Sequence, residues 1–394
     1  MTYIEQLLNG ENVEWKKLGE VCSLTRGKRL TKRDLDINGI YPVYHGGIEP
    51  IGYYNKFNRK ANSTMIINVG ASAGTVGYSA NDFWSSDGCF CFSHNEQLNQ
   101  RYLYYSLQNI ETFIKSKVRK AGIPTLDNKV LENIKIPLPP LSVQHRIVEI
   151  LDKFTALEAE LEANLEAELD CRKRQYEYYR NQLLSFDMLN RGGQKLNDVK
   201  IMTLGEIGTF VRGSGLQKKD LTTQGIPAIH YGQIYTYYGT YAKKTKSFVS
   251  QEFALKARKA KHGDLIIATT SENDEDVCKA VAWLGDEDIA VSSDACFYAH
   301  TMNPKYIAYY FQTELFQSQK RKFITGTKVR RVNAKDLAKI QIPLPPLFVQ
   351  REIVEILDKF DTLCNSISEG LPKEMELRRK QYEYYRNQLL TFAQ

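Results

Sequence analysis

The feature that constrains this chain most is that it carries one stretch of about fifty residues twice. Ile136–Leu157 (IPLPPLSVQHRIVEILDKFTAL) returns as Ile342–Leu363 (IPLPPLFVQREIVEILDKFDTL), displaced by 206 residues and identical at 17 of 22 positions. Arg172–Phe186 (RKRQYEYYRNQLLSF) returns as Arg378–Phe392 (RRKQYEYYRNQLLTF) at the same displacement, and the ten residues from Gln175 to Leu184 are unchanged. Likeness of this length at one fixed spacing is duplication, so the chain folds as a pseudo-twofold internal repeat. The segments ahead of each repeat are related only faintly. Leu18–Leu35 (LGEVCSLTRGKRLTKRDL) resembles Leu204–Leu221 (LGEIGTFVRGSGLQKKDL), and SSDGCF from Ser85 echoes SSDACF from Ser292. One fold with two diverged surfaces accounts for both degrees of likeness.

The duplication divides the 394 residues into four parts: a diverged segment at 1–135, a helical spacer at 136–194, a second diverged segment at 195–341 and a second helical repeat at 342–394. In the first repeat Ile147, Ile150, Phe154, Leu157, Leu161 and Leu165 follow three-four spacing with charges between them, the mark of an amphipathic helix with a narrow seam. The PLPP ahead of it sets its start. Continued to Leu184, this helix would be ~60 Å long at 1.5 Å per residue, and such a helix needs a partner along its seam. The second copy repeats the seam at Ile353, Ile356, Phe360 and Leu363, so the two repeats are expected to pair as an antiparallel coiled coil. Ser368–Met375 (SEGLPKEM) puts Gly370 where a helix would be capped and Pro372 where another would begin, so the second repeat is expected as two helices broken near 370–372. The aromatic residues Phe154, Tyr176, Tyr179, Phe360, Tyr382 and Tyr385 are expected in the helix pair, or on a surface that serves one identical partner twice.

The diverged segments contain short alternating runs (MIINVG and CFCF; LIIATT and IAVSSDACFY), set between Gly, Asn and Asp turns and followed by helix near Tyr102–Ser116 or Tyr306–Gln319. Each reads as a mixed α/β (α+β) domain with a strongly twisted sheet. Cys89 and Cys91 alternate at strand period and are expected to be buried small residues; none of the seven cysteines forms a CxxC pair, and we assign no metal. No run approaches the ~20 apolar residues of a membrane span, and no signal peptide is evident, so a cytoplasmic protein is expected.

Catalytic motifs do not appear. Gly70–Gly77 (GASAGTVG) is glycine-rich but no GK[ST] follows it, and there is no HExxH, GxSxG, Rossmann fingerprint or Asn-Pro-Pro-aromatic tetrad. The acidic run Glu272–Val277 lacks calcium-loop spacing and reads as a solvated loop.

Charge points elsewhere. Residues 1–135 hold 17 Lys+Arg against 13 Asp+Glu and residues 195–341 hold 22 against 15, whereas the repeats hold 7 against 10 and 7 against 8. The whole positive excess of +7 therefore lies in the diverged halves, where a polyanion would meet it. Lys and Arg interleaved with Gly, Ser, Thr and Tyr suit phosphate contacts, and this selects Arg26, Lys28, Arg29 and Lys32, then Arg212, Lys218, Lys243 and Lys244. Two further clusters stand at matching points before the PLPP helices: Lys117, Arg119 and Lys120, and Lys328, Arg330 and Arg331. His45 and His230, each near a glycine, are candidates to reach a base edge, although a buried structural histidine fits either position as well.

The two IPLPPL…ILDKF segments, the two QYEYYRNQLL segments and the KLGE and TLGE openings resemble the specificity subunit of type I restriction-modification systems, over essentially the whole chain. The resemblance implies that the diverged halves are target recognition domains, each reading half of a split double-stranded DNA site, with the helical repeats setting their spacing. It also implies docking of methyltransferase subunits, two in number, and of restriction (translocase) subunits. In that case the chain is not a catalyst and holds no cofactor of its own: S-adenosylmethionine, ATP and Mg belong to the partners. A decoy or scaffold that binds methyltransferase without productive DNA recognition is the alternative.

Overall fold

A computed structural model of the chain describes residues 3–191, 199–366 and 368–392, so the division placed between residues 194 and 195 lies outside the described residues. The chain forms two compact units, Met1–Asn164 with Met375–Gln394, and Leu165–Glu374. Each unit thus combines one diverged segment, the first part of the repeat that follows it and the last part of the other repeat. The first repeat explains why. It is one unbroken helix, Leu141–Leu183, so its Phe154 and its own Tyr179 lie ~37 Å apart along the axis and cannot meet. Each seam is completed by the other copy.

In the first unit β1 to β9 are Glu14–Lys17, Leu24–Arg26, Tyr41–Tyr44, Gly52–Tyr54, Ser63–Ile67, Val76–Ser79, Trp84–Ser85, Cys89–Phe92 and Lys135–Leu138. In place of one twisted sheet there are two small ones, ordered β2-β8-β5-β6 and β4-β3-β7, plus the pair β1-β9. Strands of two to five residues cannot each span a core; the first sheet is antiparallel throughout, while the second joins an antiparallel pair, β3-β4, to a parallel one, β3-β7. The central strand β5 is buried throughout, because both its faces are covered. Ile66 joins Phe90, Tyr102, Tyr105, Ile147 and Leu151 in the main core, and Leu389, Leu390 and Phe392 from the end of the chain close it. Met65 and Cys91, pointing the other way, pack with Phe83 and Tyr44.

The second unit repeats the plan with more strands. Its strands are Lys200–Thr203 (β10), Gly208–Arg212 (β11), Ile226–Ile229 (β12), Tyr241–Ala242 (β13), Ser247–Val249 (β14), Lys259–Ala260 (β15), Leu265–Ala268 (β16), Thr270–Ser271 (β17), Ala280–Trp283 (β18), Ile289–Val291 (β19), Ala295–His300 (β20), Arg330–Arg331 (β21) and Gln341–Leu344 (β22). They form sheets ordered β11-β20-β16-β18-β13 and β14-β12-β19-β15, with the pairs β10-β22 and β17-β21. Tyr176, Leu184 and Leu189 enter its core beside Val349, Ile353 and Leu357, as Leu390 does in the first unit.

The recurring sequence signatures each have a physical task. In LGE, Leu18 and Leu204 are fully buried, and their amides donate to Ile134 O and Ile340 O at 2.9 Å each. Glu20 and Glu206 accept the amides of Lys17 and Thr203 at 3.0 and 2.7 Å, closing a one-turn helix. In the repeats, the Gln144 side chain accepts the Asn99 amide at 2.9 Å, and Gln350 accepts that of Asn303 at 2.8 Å. Asp152 accepts Arg101 Nε at 2.8 Å and Tyr105 OH at 2.6 Å; Asp358 accepts Lys305 Nζ and Tyr309 OH, both at 2.6 Å. The Gln and Asp of the repeat thereby fasten it to the helix of the diverged segment before it.

The second repeat breaks as its sequence indicates, into Leu347–Asn365 and Leu371–Leu390. Gly370 acts differently from a left-handed cap. It sits at the start of the second helix, where its carbonyl accepts the amides of Lys373 and Glu374. A Cβ there would stand 2.4 Å from Thr362 O, so glycine is required by close approach. Among the described residues no helix is long and apolar enough to cross a membrane.

Candidate nucleic-acid interface

In the first unit β2 ends at Arg26, and Gly27 runs directly beneath the Ser85–Gly88 loop. Its amide donates to Cys89 O at 3.1 Å, and a Cβ on it would lie 2.2 Å from Ser85 O, so no other residue fits without displacing the backbone. The loop holds the Arg26 side chain in return: Arg26 Nε donates to Asp87 O at 2.7 Å. Arg59 NH2 donates to the carbonyl of Arg26 at 3.2 Å. His45, leaving β3, lies 3.2 Å from Ser86 Oγ and 3.4 Å from Asp87 Oδ1. The basic loop Arg119–Thr125 is closed by reciprocal amide-carbonyl bonds of 2.9 and 3.1 Å, and it docks on the 68–70 loop through Leu126 N to Asn68 O and Gly70 N to Pro124 O, both 2.9 Å. Asn68 N in turn donates to Gly88 O at 3.0 Å. Arg26, His45 and Arg119 therefore belong to one contiguous set of loops.

The second unit builds the same set. Gly213 donates to Ala295 O at 3.0 Å, and a Cβ on it would lie 2.1 Å from Ser292 O. Arg212 Nε donates to Ser293 O at 3.1 Å, and Arg258 NH1 donates to Arg212 O at 2.9 Å. The loop Thr325–Arg331 is closed by the reciprocal bonds of Thr325 and Arg331, at 2.9 and 2.8 Å, and docks through Val332 N to Thr269 O at 3.2 Å. Arg212, Arg331, Thr269, Thr270, Ser293, Asp294 and Asn333 line one groove of about 280 Å³.

The other candidates divide. Lys32 and Lys218 open equivalent single-turn helices, Lys32–Asp34 and Lys218–Asp220, and with Lys28, Arg29, Lys120 and Lys328 they are exposed. Lys117 is also exposed, its ammonium 4.8 Å from the Phe113 ring centre. Arg330 is half-buried and ion-paired to Asp274 at 2.8 Å. Lys243 and Lys244 follow β13, at the opposite edge of the five-stranded sheet from β11 and Arg212. His230 is buried, and its Nδ1 accepts the Gly232 amide at 3.2 Å, capping the helix Tyr231–Thr236. Burial, then the nearby Lys218 charge, push its pKa below the usual histidine range. The structure thus gives His230 a local capping task, whereas His45 is exposed.

Several sequence features resolve into structure. GASAGTVG supplies the turn between β5 and β6 and the first two residues of β6, with Ala73 N donating to Gly70 O and Gly70 and Gly74 both at positive φ. The acidic run folds on itself through Asn273 and Asp276 and supplies Asp274 to Arg330. Six of the seven cysteines are buried, and burial pushes the Cys89 thiol up to about 12, so it is no nucleophile at neutral pH.

Three features escaped sequence reading. Arg59 and Arg258 lie outside the basic clusters, and only the fold brings each to its neighbour's carbonyl. Lys320 is fully buried, donating to Glu275 O and Val277 O at 2.9 Å each, and so fixes the base of the acidic loop from inside. Tyr178 and Tyr384, equivalent in the two repeats, are each 60 % exposed, while the six expected aromatic residues join the helix pairs. Phe154 stacks on Tyr385 at 5.9 Å and Phe360 on Tyr179 at 5.4 Å and Tyr176 at 6.1 Å, and Tyr382 OH lies 2.9 Å from Thr155 Oγ1. Their order along the chain makes both pairs antiparallel.

The family model of the type I restriction modification DNA specificity domain matches the chain twice, at residues 10–170 and 197–377. The chain belongs to this specificity family. It is 32 % identical over 416 residues to the Haemophilus influenzae protein named as the type I restriction enzyme specificity subunit S.HindORF215P, with 100 % of this chain and 99 % of the relative covered. To the EcoR124I/EcoR124II specificity subunit of Escherichia coli it is 31 % identical over 415 residues, covering 100 % and 97 %. Its fold is shared with a chain from a solved assembly of a type I R-M system (TM-score 0.68, 16 % identity, covering 96 % of this chain and 98 % of that one). The HsdS subunit from Thermoanaerobacter tengcongensis also shares it (TM-score 0.56, 17 % identity, covering 97 % and 96 %). The two matched stretches of this specificity subunit follow its own duplication, each taking in one diverged segment and the start of the repeat after it.

Proposed function

We propose that this specificity subunit recognises a bipartite double-stranded DNA site, one half per diverged domain, and carries no catalytic centre of its own. The observation that carries this reading is the doubled loop surface: Arg26, His45 and Arg119 in one unit, Arg212, Arg258 and Arg331 in the other, on halves that hold the whole positive excess of the chain. Two related scaffolds with different loop side chains suit two different half-sites, since phosphate contacts position and base contacts specify. The helix Leu141–Leu183, ~64 Å long at 1.5 Å per residue, acts as the ruler that sets the gap between half-sites. The exposed tyrosines of the two QYEYYRNQLL segments offer the same surface twice, which fits two copies of one methyltransferase subunit, and restriction subunits complete the assembly. S-adenosylmethionine, ATP and Mg are held by those partners.

Mapping of methylated adenine across a genome tests this, with the chain co-expressed beside its own methyltransferase subunit and compared with the methyltransferase alone. A split motif that appears only with this chain is the expected result. Absence of any motif, with the two proteins still co-purifying, would favour a decoy or scaffold.

A further inference from the structure

The two diverged halves share little sequence, yet they build one constellation in the same way. An arginine at the end of a strand (Arg26, Arg212) is followed by a glycine that alone fits beneath a Ser-Ser-Asp loop. A carbonyl of that loop, Asp87 O in the first half and Ser293 O, one position earlier in the motif, in the second, accepts the arginine's Nε at 2.7 or 3.1 Å. A second arginine from elsewhere in the fold (Arg59, Arg258) holds the first one's own carbonyl at 3.2 or 2.9 Å. Equal loop lengths do not produce this likeness: 59 positions separate Arg26 from Ser85 (85 − 26), whereas 80 separate Arg212 from Ser292 (292 − 212).

We propose that Arg26 and Arg212 are paired, sequence-independent phosphate clamps, and that base discrimination resides in the loop side chains that differ between the halves. This rests on the DNA-recognition reading above. Two domains that read different half-sites cannot draw the difference from what they have in common, so a shared constellation answers to the feature common to all DNA, its backbone. The geometry suits that task. Both arginines are exposed, and among the described residues neither terminal guanidinium nitrogen of Arg26 or Arg212 makes a hydrogen bond. A guanidinium already pinned at Nε presents its two amino groups to a phosphate with less side-chain freedom left to lose on binding. The second arginine adds positive charge at the same point.

The test uses the assembled complex with its methyltransferase subunit and measures binding to two duplexes, one bearing the methylated motif and one of unrelated sequence, across a series of KCl concentrations. Arg26→Ala and Arg212→Ala are each expected to weaken both duplexes by the same factor, about tenfold for a charge-assisted contact. Each is also expected to flatten the slope of log affinity against log salt by about 0.9. The methylated motif stays the same. Arg26→Lys keeps the charge and so keeps the wild-type salt slope. Relaxed selectivity at one base position of a half-site, or unchanged affinity in both alanine variants, would overturn the clamp while leaving DNA recognition in place. If the unmodified complex bound both duplexes alike, the reading of the function would fall, and the clamp with it.

Discussion

Asp152 and Asp358 are the same residue of the repeat in two settings, and the settings differ in burial. The Lys305–Asp358 pair is 19 % and 32 % exposed, the Arg101–Asp152 pair 26 % and 45 %. Removing one partner of a shielded pair strands the other charge as well as losing a tyrosine hydrogen bond. Asp358→Ala should therefore cost about 2–4 kcal/mol, and Asp152→Ala distinctly less. Thermal unfolding of the two variants checks the order, and equal losses would count against burial as the deciding factor. A histidine sets a second expectation. Burial pushes the His300 pKa down to about 4, against about 6.5 in the unfolded chain. Between those values the unfolded chain binds the extra proton, so this residue's contribution to stability is full above pH ~6.5 and is lost as pH falls towards 4. Melting temperature followed from pH 7 to pH 4 should fall less steeply in His300→Gln than in the wild type. Sequence left both His45 and His230 open between a groove-facing and a buried role; the structure exposes the first and buries the second, because the burial and capping bond of His230 depend on how β12 meets the helix after it.

At the level of elements, the aromatic residues of the repeats fall into two groups: those that helical spacing aligns along the seam, and Tyr178 and Tyr384, for which the sequence suggested no task. Tyr179 and Tyr385, 44 % exposed, stack on the phenylalanine of the opposite repeat, while Tyr178 and Tyr384, one position earlier, face solvent. Replacing Tyr179 and Tyr385 together by alanine should lower the melting temperature, since each aromatic pair contributes ~0.5–1.5 kcal/mol beyond its buried area. Replacing Tyr178 and Tyr384 should leave it almost unchanged, exposed positions ordinarily shifting stability by no more than ~0.5 kcal/mol, but should weaken association with the methyltransferase subunit. Pull-down and calorimetry on the two double variants separate these outcomes; a stability loss in the second pair would assign it to the helix pair instead. The break between the two helices of the second repeat was legible from Gly370 and Pro372. The reason for the glycine was not, because the approach of Thr362 O is a property of the folded turn.

For the whole molecule, the ruler proposed above is the helix Leu141–Leu183. Residues Leu161–Asn164 are all exposed, but Phe154 and Tyr179 on either side both stack on the second repeat, so a four-residue helical insertion after Glu162 is matched by four residues added ahead of Leu371 to keep both seams paired. It lengthens the helix by ~6 Å, close to two base-pair steps of ~3.4 Å. The methylated motif of such a variant is expected to keep both half-sites and to widen its gap by one or two base pairs. An unchanged gap would remove the helix from the role of ruler.

The sequence by itself determined the duplication, the antiparallel pairing of the seams, the break in the second repeat and the confinement of positive charge to the diverged halves, because periodicity, proline and glycine placement and charge are local properties that survive folding unchanged. Only the tertiary structure decided which ends meet: an unbroken 43-residue helix cannot fold back on itself, so the start of each repeat takes the tail of the other. It decided also that Arg59 and Arg258 converge on the carbonyls of Arg26 and Arg212, since contacts between residues tens of positions apart are set by strand pairing and close approach at glycine, which no window of sequence contains.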